Sequence, residues 1–235
     1  MSLMKYSAKV TLYNSYFDKN DRLSMKSILS IFQDVASIHA EEIGVGYKEM
    51  LNKNLYWVLS RIKIDIVKMP EINQTVVVET WPHEKGKVDF DRDLRILSED
   101  GEVLIIGTSK WCVIDTVQRK LQRAENVNYI GDIYPGVNYA ETFSKISLPD
   151  VNTLFKFKYN VLFSDLDHNQ HMNNTNYANL VVSAIENEKF NHFEINFLNE
   201  CKFKDEIYIS TCKNNNAEYV LGFVSDNKVF DAYVC

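Results

Sequence analysis

The chain has 235 residues, of which 46% are hydrophobic and 25% are charged, and its formal net charge is −6. This composition is ordinary for a globular protein with a hydrophobic core. The negative balance argues against a nucleic-acid partner, and no apolar run approaches the roughly 20 residues of a membrane span. Because the N-terminus also lacks the pattern of a secretion signal, the sequence predicts a cytoplasmic protein.

The first half of the chain predicts one amphipathic helix. Ser24 is a candidate N-cap and Gly44 a candidate stop signal. Between them, apolar residues recur at helical spacing, at Ile28, Ile31, Phe32, Val35 and Ile38. One face of this helix is therefore expected to be buried.

An antiparallel meander is expected to follow the helix. Residues 58–66 alternate between apolar and charged side chains, which is typical of a strand with one wet face. Further strands are predicted at 75–81, 88–97 and 103–114, because turn-prone residues separate these runs.

The periodicity fades beyond residue 115 and returns near residue 155. We therefore divide the chain into an N-terminal unit (1–125), a linker (126–154) and a C-terminal unit (155–235). The C-terminal unit repeats the earlier order, with a strand to Phe163, a polar loop, a helix to about Glu188 and then four strands. Those strands are expected at 192–198, 206–212, 218–224 and 228–234.

The two halves match each other when the sequence is shifted by 131 residues. Apolar residues then pair with apolar residues, namely Ile62 with Phe193, Ile64 with Ile195, Ile66 with Phe197, Ile72 with Phe203, Val76 with Ile207 and Val78 with Ile209. At the helix entry a different offset applies, because the halves differ in helix-to-strand length, and it pairs Asp18 and Asn20 with Asp167 and Asn169. The titratable positions differ, since Arg22 stands in place of His171 at this second offset and Met69 in place of Glu200 at the first. A duplication with catalysis kept in the second copy is therefore predicted.

The loop before the second helix concentrates polar side chains. Asp167, Asn169 and His171 alternate, so their side chains can project to one side. Asn173 and Asn174 are candidate N-cap residues. The free N–H groups and the dipole at a helix N-terminus favour developing negative charge, which suits an oxyanion.

Other kinds of site find little support in the sequence. The four cysteines are widely spaced without a C-x-x-C pair, which predicts reduced thiols. His168 and His171 have no further ligands nearby, so we expect no metal and no other cofactor. The chain has neither a Gly-rich phosphate loop nor a G-x-S-x-G motif, which argues against nucleotide enzymes and serine α/β-hydrolases.

The polar loop resembles the active-site segment of the plant and bacterial acyl-[acyl carrier protein] thioesterases. Their pattern D-x-N-x-H-x-N-N-x-x-Y is matched at Asp167, Asn169, His171, Asn173, Asn174 and Tyr177. The resemblance covers nearly the whole chain and extends to residues 57–61, 78–82 and 107–111. It implies an α+β fold of two tandem hotdog units, each a long helix against a curved antiparallel sheet. It also implies hydrolysis of fatty acyl thioesters carried by acyl carrier protein, in a monomer or a homodimer.

Two neighbouring residues compete for the second catalytic role. Glu200 could activate water directly, whereas Cys201 could form a nucleophilic dyad with His171. Alternation along a strand places Cys201 with the apolar set, where an inert thiol belongs. The family resemblance also assigns catalysis to the glutamate, so we expect Glu200 to be the base.

The remaining roles follow from the same loop. We expect Asp167 to assist the base, and His171 with Asn169 to hold the water or the substrate carbonyl. Backbone N–H groups near Asn174 and Thr175 are expected to receive the oxyanion.

The substrate is expected to contact two further regions. The first half is expected to line the acyl pocket with four apolar residues, Ile31, Val35, Val76 and Val78. The resemblance implies an acidic carrier, so a basic patch should dock it, with candidates Arg119, Lys120 and Arg123, and Lys156 and Lys158 nearby.

Two alternative functions stay open at this point. One is a hotdog dehydratase that acts on 3-hydroxyacyl thioesters with a histidine and a carboxylate. The other is a non-catalytic acyl-binding module. Release of a free thiol from an acyl thioester would separate both from a thioesterase.

Overall fold

The computed structural model describes residues 4–141, 143–187 and 189–235. The chain divides between residues 142 and 143 into two compact units. Each unit combines an antiparallel sheet with helical segments, as the sequence predicts.

The described part of the first unit has two α-helices and six strands. The helices are α1 (Met25–Glu42) and α2 (Tyr47–Asn52). The strands are β1 (Tyr6–Thr11), β2 (Leu55–Ile66), β3 (Thr75–Pro82), β4 (Asp89–Ser98), β5 (Val103–Asp115) and β6 (Lys120–Leu121). The antiparallel sheet has the order β1-β3-β4-β5-β2, and β6 pairs with β5.

Helix α1 begins and ends at the predicted signals. The Ser24 side chain accepts a hydrogen bond from the N–H of Ser27 at 3.2 Å, which satisfies one of the free donors of the first turn. Gly44 follows the helix with φ of +75°, a conformation that glycine adopts without steric cost. Ile38 was predicted to be buried but is exposed, and His39 is buried instead, because the stripe continues from Val35 at i+4 spacing.

Much of the predicted linker packs against the first unit. Val127 lies in a small apolar core, and the carbonyl of Gly136 accepts a hydrogen bond from the Trp81 indole at 2.7 Å. The side-chain amide of Asn138 donates to the carbonyls of Leu94 and Gly107 at 2.9 and 2.7 Å. Residues 126–141 are thus held by specific contacts with β3, β4 and β5.

The second unit repeats the architecture of the first. Its described residues form α3 (Asn174–Ala184) and the strands β7 (Leu154–Asn160), β8 (His192–Phe197), β9 (Glu206–Asn214), β10 (Ala217–Val224) and β11 (Asn227–Val234). The antiparallel order is β7-β9-β10-β11-β8, which is the order of the first unit strand for strand. The predicted duplication and its α+β class are confirmed.

Helix α3 stops earlier than the sequence predicts. The predicted end near Glu188 lies outside the described residues, and the helix itself ends at Ala184. After the helix, the backbone N–H groups of Glu186 and Asn187 donate to the buried carboxylate of Glu218 on β10 at 2.9–3.1 Å instead of continuing the helical pattern. A contact between residues far apart in sequence therefore fixes this helix end.

Candidate active site

The candidate site begins with a tight turn between β7 and α3. The Asp167 carboxylate accepts hydrogen bonds from the backbone N–H groups of Asn169 and His171, at 2.8 and 3.3 Å. The N–H of Asp167 in turn donates to the carbonyl of His171 at 2.8 Å. Gln170 takes a positive φ of 65° to close the turn. Asp167 therefore fixes the backbone that carries His171.

The first unit contains the same turn without the His–Glu pair. The Asp18 carboxylate accepts hydrogen bonds from the N–H groups of Asn20 and Arg22, at 2.8 and 3.2 Å. Asp21 takes φ of +54° at the position that corresponds to Gln170. Because the bonds persist in a copy that has lost its histidine, they are a structural property of the turn.

His171 and Glu200 form a close pair. The Nε2 atom of His171 lies 3.1 Å from the Oε2 atom of Glu200, and their side chains are 17% and 36% exposed. Two contacts hold the loops that carry them together. The N–H of Met172 donates to the carbonyl of Cys201 at 2.8 Å, and His171 forms an isolated β-bridge with Lys202. The pair is therefore fixed in place yet open to water.

Cys201 is placed differently from Glu200. Its side chain is fully buried, and burial raises the pKa of its thiol to about 11, while the Tyr177 hydroxyl acts in the opposite direction. Tyr177 is itself packed edge-on against Phe197 and Phe230. A buried, protonated thiol is a poor nucleophile. Of the two rivals, Glu200 is the one that contacts His171 and reaches solvent.

The N-terminus of α3 lies directly behind the turn. Asn173 is the N-cap, and its side-chain oxygen accepts hydrogen bonds from the N–H of Thr175 at 2.9 Å and from the Thr175 hydroxyl at 2.8 Å. The Thr175 N–H, one of the two predicted oxyanion donors, is therefore engaged within the cap. Asn174, the other predicted donor, is the first residue of α3.

One supporting residue was missed in the sequence. Asp165 is buried, and its carboxylate accepts hydrogen bonds from the Tyr159 hydroxyl at 2.7 Å and the N–H of Leu162 at 2.8 Å. Burial and the Asp165 contact raise the pKa of Tyr159 to about 12. The carbonyl of Asp165 also accepts from the side chain of Asn176 at 3.0 Å. The sequence signal that could have identified Asp165 is its position two residues before Asp167, in the same polar segment.

The other predicted residues lie on the surface or in the first unit's core. Asn169 and His168 are exposed on the turn. The four predicted pocket residues are all buried, at Ile31, Val35, Val76 and Val78. The predicted carrier-docking residues are exposed, at Arg119, Lys120 and Arg123, and the last of these lies 3.5 Å from Glu125. Among the described residues, no group of three or more His, Cys, Asp or Glu side chains is arranged to hold a metal.

A helix on an antiparallel sheet, present twice in one chain, defines a double-hotdog protein, and here the second copy pairs His171, which precedes α3, with Glu200, which follows β8. Two sequence-family models match it, described as the N-terminal domain (residues 3–129) and the C-terminal domain (residues 150–229) of acyl-ACP thioesterase. The chain therefore belongs to the acyl-ACP thioesterase family.

Solved structures share this fold along the whole chain. An acyl-ACP thioesterase from Bacteroides thetaiotaomicron superposes with a TM-score of 0.83 at 23% identity, covering 98% of this chain and 97% of that one. The 12:0-ACP thioesterase from Umbellularia californica superposes with a TM-score of 0.81 at 20% identity, covering 100% and 97%.

Curated plant relatives are similar in sequence but longer. An oleoyl-acyl carrier protein thioesterase of Arabidopsis thaliana is 28% identical, over 88% of this chain and 63% of its own length. An acyl-[acyl-carrier-protein] hydrolase of Cuphea viscosissima is 29% identical, over 73% of this chain and 45% of its own length. The chain thus spans about half to two thirds of these relatives. No helix in the described ranges is long and apolar enough to cross a membrane.

Proposed function

We propose that the protein hydrolyses fatty acyl thioesters of acyl carrier protein to a free fatty acid and the carrier thiol. The observation that carries this proposal is the His171–Glu200 pair, 3.1 Å apart and open to water. A thioester carbonyl is already electrophilic and its thiolate leaves readily. The reaction therefore needs a placed water, a base and an oxyanion donor, and the exposed Glu200 carboxylate and the N–H groups at the start of α3 support the last two.

Glu200 acts as the general base. It takes a proton from water as the water oxygen bonds to the carbonyl carbon, and the carbonyl π electrons move onto oxygen. When the tetrahedral intermediate collapses, the carbon–sulfur bond breaks and the sulfur takes the proton back from Glu200. General-base assistance of this kind contributes about 10²–10⁴ in rate. His171 holds the carboxylate in position through the 3.1 Å contact.

The groups next to Glu200 bind the substrate and orient the reacting atoms. The N–H of Asn174 at the start of α3 receives the oxyanion, and one such donor is worth about 10²–10³ in rate. Asn169, exposed on the same turn as His171, holds the water or the substrate carbonyl. Asp167 positions the turn, because its carboxylate is bonded to two backbone N–H groups.

Selectivity for the acyl group is assigned to the first unit. That unit has lost the His–Glu pair but keeps an apolar layer between α1 and β3, which includes Val35 and Val78. Since Val76 and Val78 have no exposed surface, an acyl group enters this layer only if the layer opens.

The cytoplasmic location and the oligomeric state stay predictions, and the plant relatives are named chloroplastic.

The function is tested by measuring thiol release. The purified protein is incubated with carrier protein loaded with a dodecanoyl group, and free thiol and free fatty acid are quantified together. We expect equal amounts of both. An enoyl product without thiol, formed from a 3-hydroxyacyl substrate, would instead identify a dehydratase. Ligand retention without any product would identify an acyl-binding module.

A further inference from the structure

Two aromatic side chains of the second unit are exposed to water beside each other. Phe163 is 79% exposed and Phe203 is 47% exposed. Their rings meet edge-on with centroids 6.4 Å apart, and the Lys204 ammonium lies 5.3 Å from the Phe203 centroid. Exposed aromatic residues that cluster in this way are enriched at binding surfaces.

These rings stand on the two loops that form the candidate active site. Phe163 begins the short 3₁₀ turn Phe163–Asp165, which leads into the turn that carries His171. Phe203 follows Glu200 by three residues, and the intervening Lys202 forms the β-bridge with His171. A molecule bound on these rings is therefore held by the segments that position the His–Glu pair.

Phe203 stands between two lysines in the sequence. Lys202 and Lys204 are exposed, and neither ammonium forms an ion pair within the described part of the chain. Lys156 and Lys158, which the sequence also suggested for carrier docking, are each paired with a glutamate, at 3.1 and 2.7 Å. The unpaired lysines leave their charge available to an acidic partner.

The first unit provides an internal comparison. The two loops share a positive φ at one position, +64° at Asn73 and +71° at Lys204, and each of these N–H groups donates to the residue after the first strand of its unit, Leu12 or Val161. The positions equivalent to the two rings and the two lysines carry no aromatic ring and no positive charge: Asn14, Glu71, Ile72 and Asn73. The aromatic and basic side chains thus occur only in the copy that has the His–Glu pair.

We propose that Phe163, Phe203, Lys202 and Lys204, here named the aromatic patch, form the surface on which an acidic acyl carrier protein docks. This inference rests on the proposed thioesterase function. The rings supply apolar contact and the lysines supply complementary charge. Docking on the aromatic patch delivers the thioester to the loops that hold the base. This surface is distinct from the predicted one at Arg119, Lys120 and Arg123.

The test compares a carrier-bound substrate with a small one. Phe163→Ser, Phe203→Ser and Lys204→Glu are assayed with dodecanoyl-carrier protein and with a hexanoyl thioester of N-acetylcysteamine. We expect KM for the carrier substrate to rise about tenfold, which is the scale of losing an interface hot spot, while kcat and the small substrate change less than about twofold. Tyr13→Ser is the matched control, because Tyr13 is 60% exposed beside the equivalent turn of the first unit.

A second measurement does not depend on hydrolysis. The affinity of fluorescently labelled carrier protein for each variant is measured by anisotropy, and we expect weaker binding for the three patch variants but not for Tyr13→Ser. Equal losses on both substrates would show a structural effect and overturn the proposal. Unchanged carrier affinity in all three patch variants would also overturn it. If only the double variant Arg119→Glu/Lys120→Glu binds the carrier more weakly, docking belongs to the predicted basic patch instead. If the wild-type protein binds the carrier but releases no thiol, the proposed function fails while the docking surface stands.

Discussion

The hydrogen bonds of the Asp167 side chain predict that Asp167 positions the turn and that Glu200 alone is the base. In Asp167→Asn the remaining side-chain oxygen can still accept from the N–H groups of Asn169 and His171. Hydrogen bonds to a charged group contribute about 1.5–3 kcal/mol and those between neutral groups about 0.5–1.5 kcal/mol, so each bond weakens by roughly 1 kcal/mol. The other contacts of the loop still hold the turn. We therefore expect kcat to fall by less than about tenfold, against at least about 10² for loss of a general base.

The assay is thiol release at saturating substrate, together with thermal unfolding of each variant. Asp18→Asn is the matched control, because Asp18 makes the same two bonds in a turn without a histidine. We expect the two variants to lower the melting temperature by similar amounts, and Asp18→Asn to leave kcat unchanged. A loss of about 10² or more in Asp167→Asn, with no greater loss of stability than in Asp18→Asn, would refute the positioning role and make Asp167 part of the base.

Two other predictions concern the first unit. Burial, and then the Arg92 guanidinium, lower the pKa of His39 from 6.5 to about 4. The unfolded chain therefore binds a proton that the folded chain resists, and the unfolding free energy should decrease as pH falls from 6.5 towards 4. His39→Gln should flatten this part of the profile in denaturant titrations, and an unchanged slope would contradict the assignment. Val78→Leu should shift the released fatty acids towards shorter chains, because each excluded methylene forfeits about 0.8 kcal/mol of burial; an unchanged product profile at equal stability would place the pocket elsewhere.

Local patterns in the sequence were sufficient to predict most helices and strands of the fold. Ser24 and Gly44 are signals whose effect is confined to one helix end, so the bounds of α1 followed from them. Strand β2 followed from alternation and the strands after it from turn-prone separators, and the repeat was visible because six apolar positions have apolar counterparts. Three short elements were not predicted, since they are too short to show a clear period: strand β1, the six-residue α2 and the two-residue strand β6.

Other features depend on contacts between distant residues. The end of α3 is set by Glu218, which lies more than 30 residues further on. The packing of residues 126–141 depends on Asn138 reaching backbone carbonyls of β4 and β5, which leaves no periodic pattern. The family resemblance suggested Glu200 for the candidate site, but alternation assumed a strand there. Residues 198–201 follow β8 as a loop, and the contact with His171 is visible only in three dimensions.

The most direct test of the account compares Glu200→Gln with Cys201→Ser in single-turnover and steady-state thiol release from dodecanoyl-carrier protein. We predict that Glu200→Gln lowers kcat by at least about 10², because the amide cannot accept a proton from water. Cys201→Ser should keep most of the activity, since the thiol is buried and protonated. An inactive Cys201→Ser that folds normally, together with a covalent acyl-enzyme trapped on Cys201 in the wild-type protein, would contradict water activation by Glu200 and establish a thiol nucleophile.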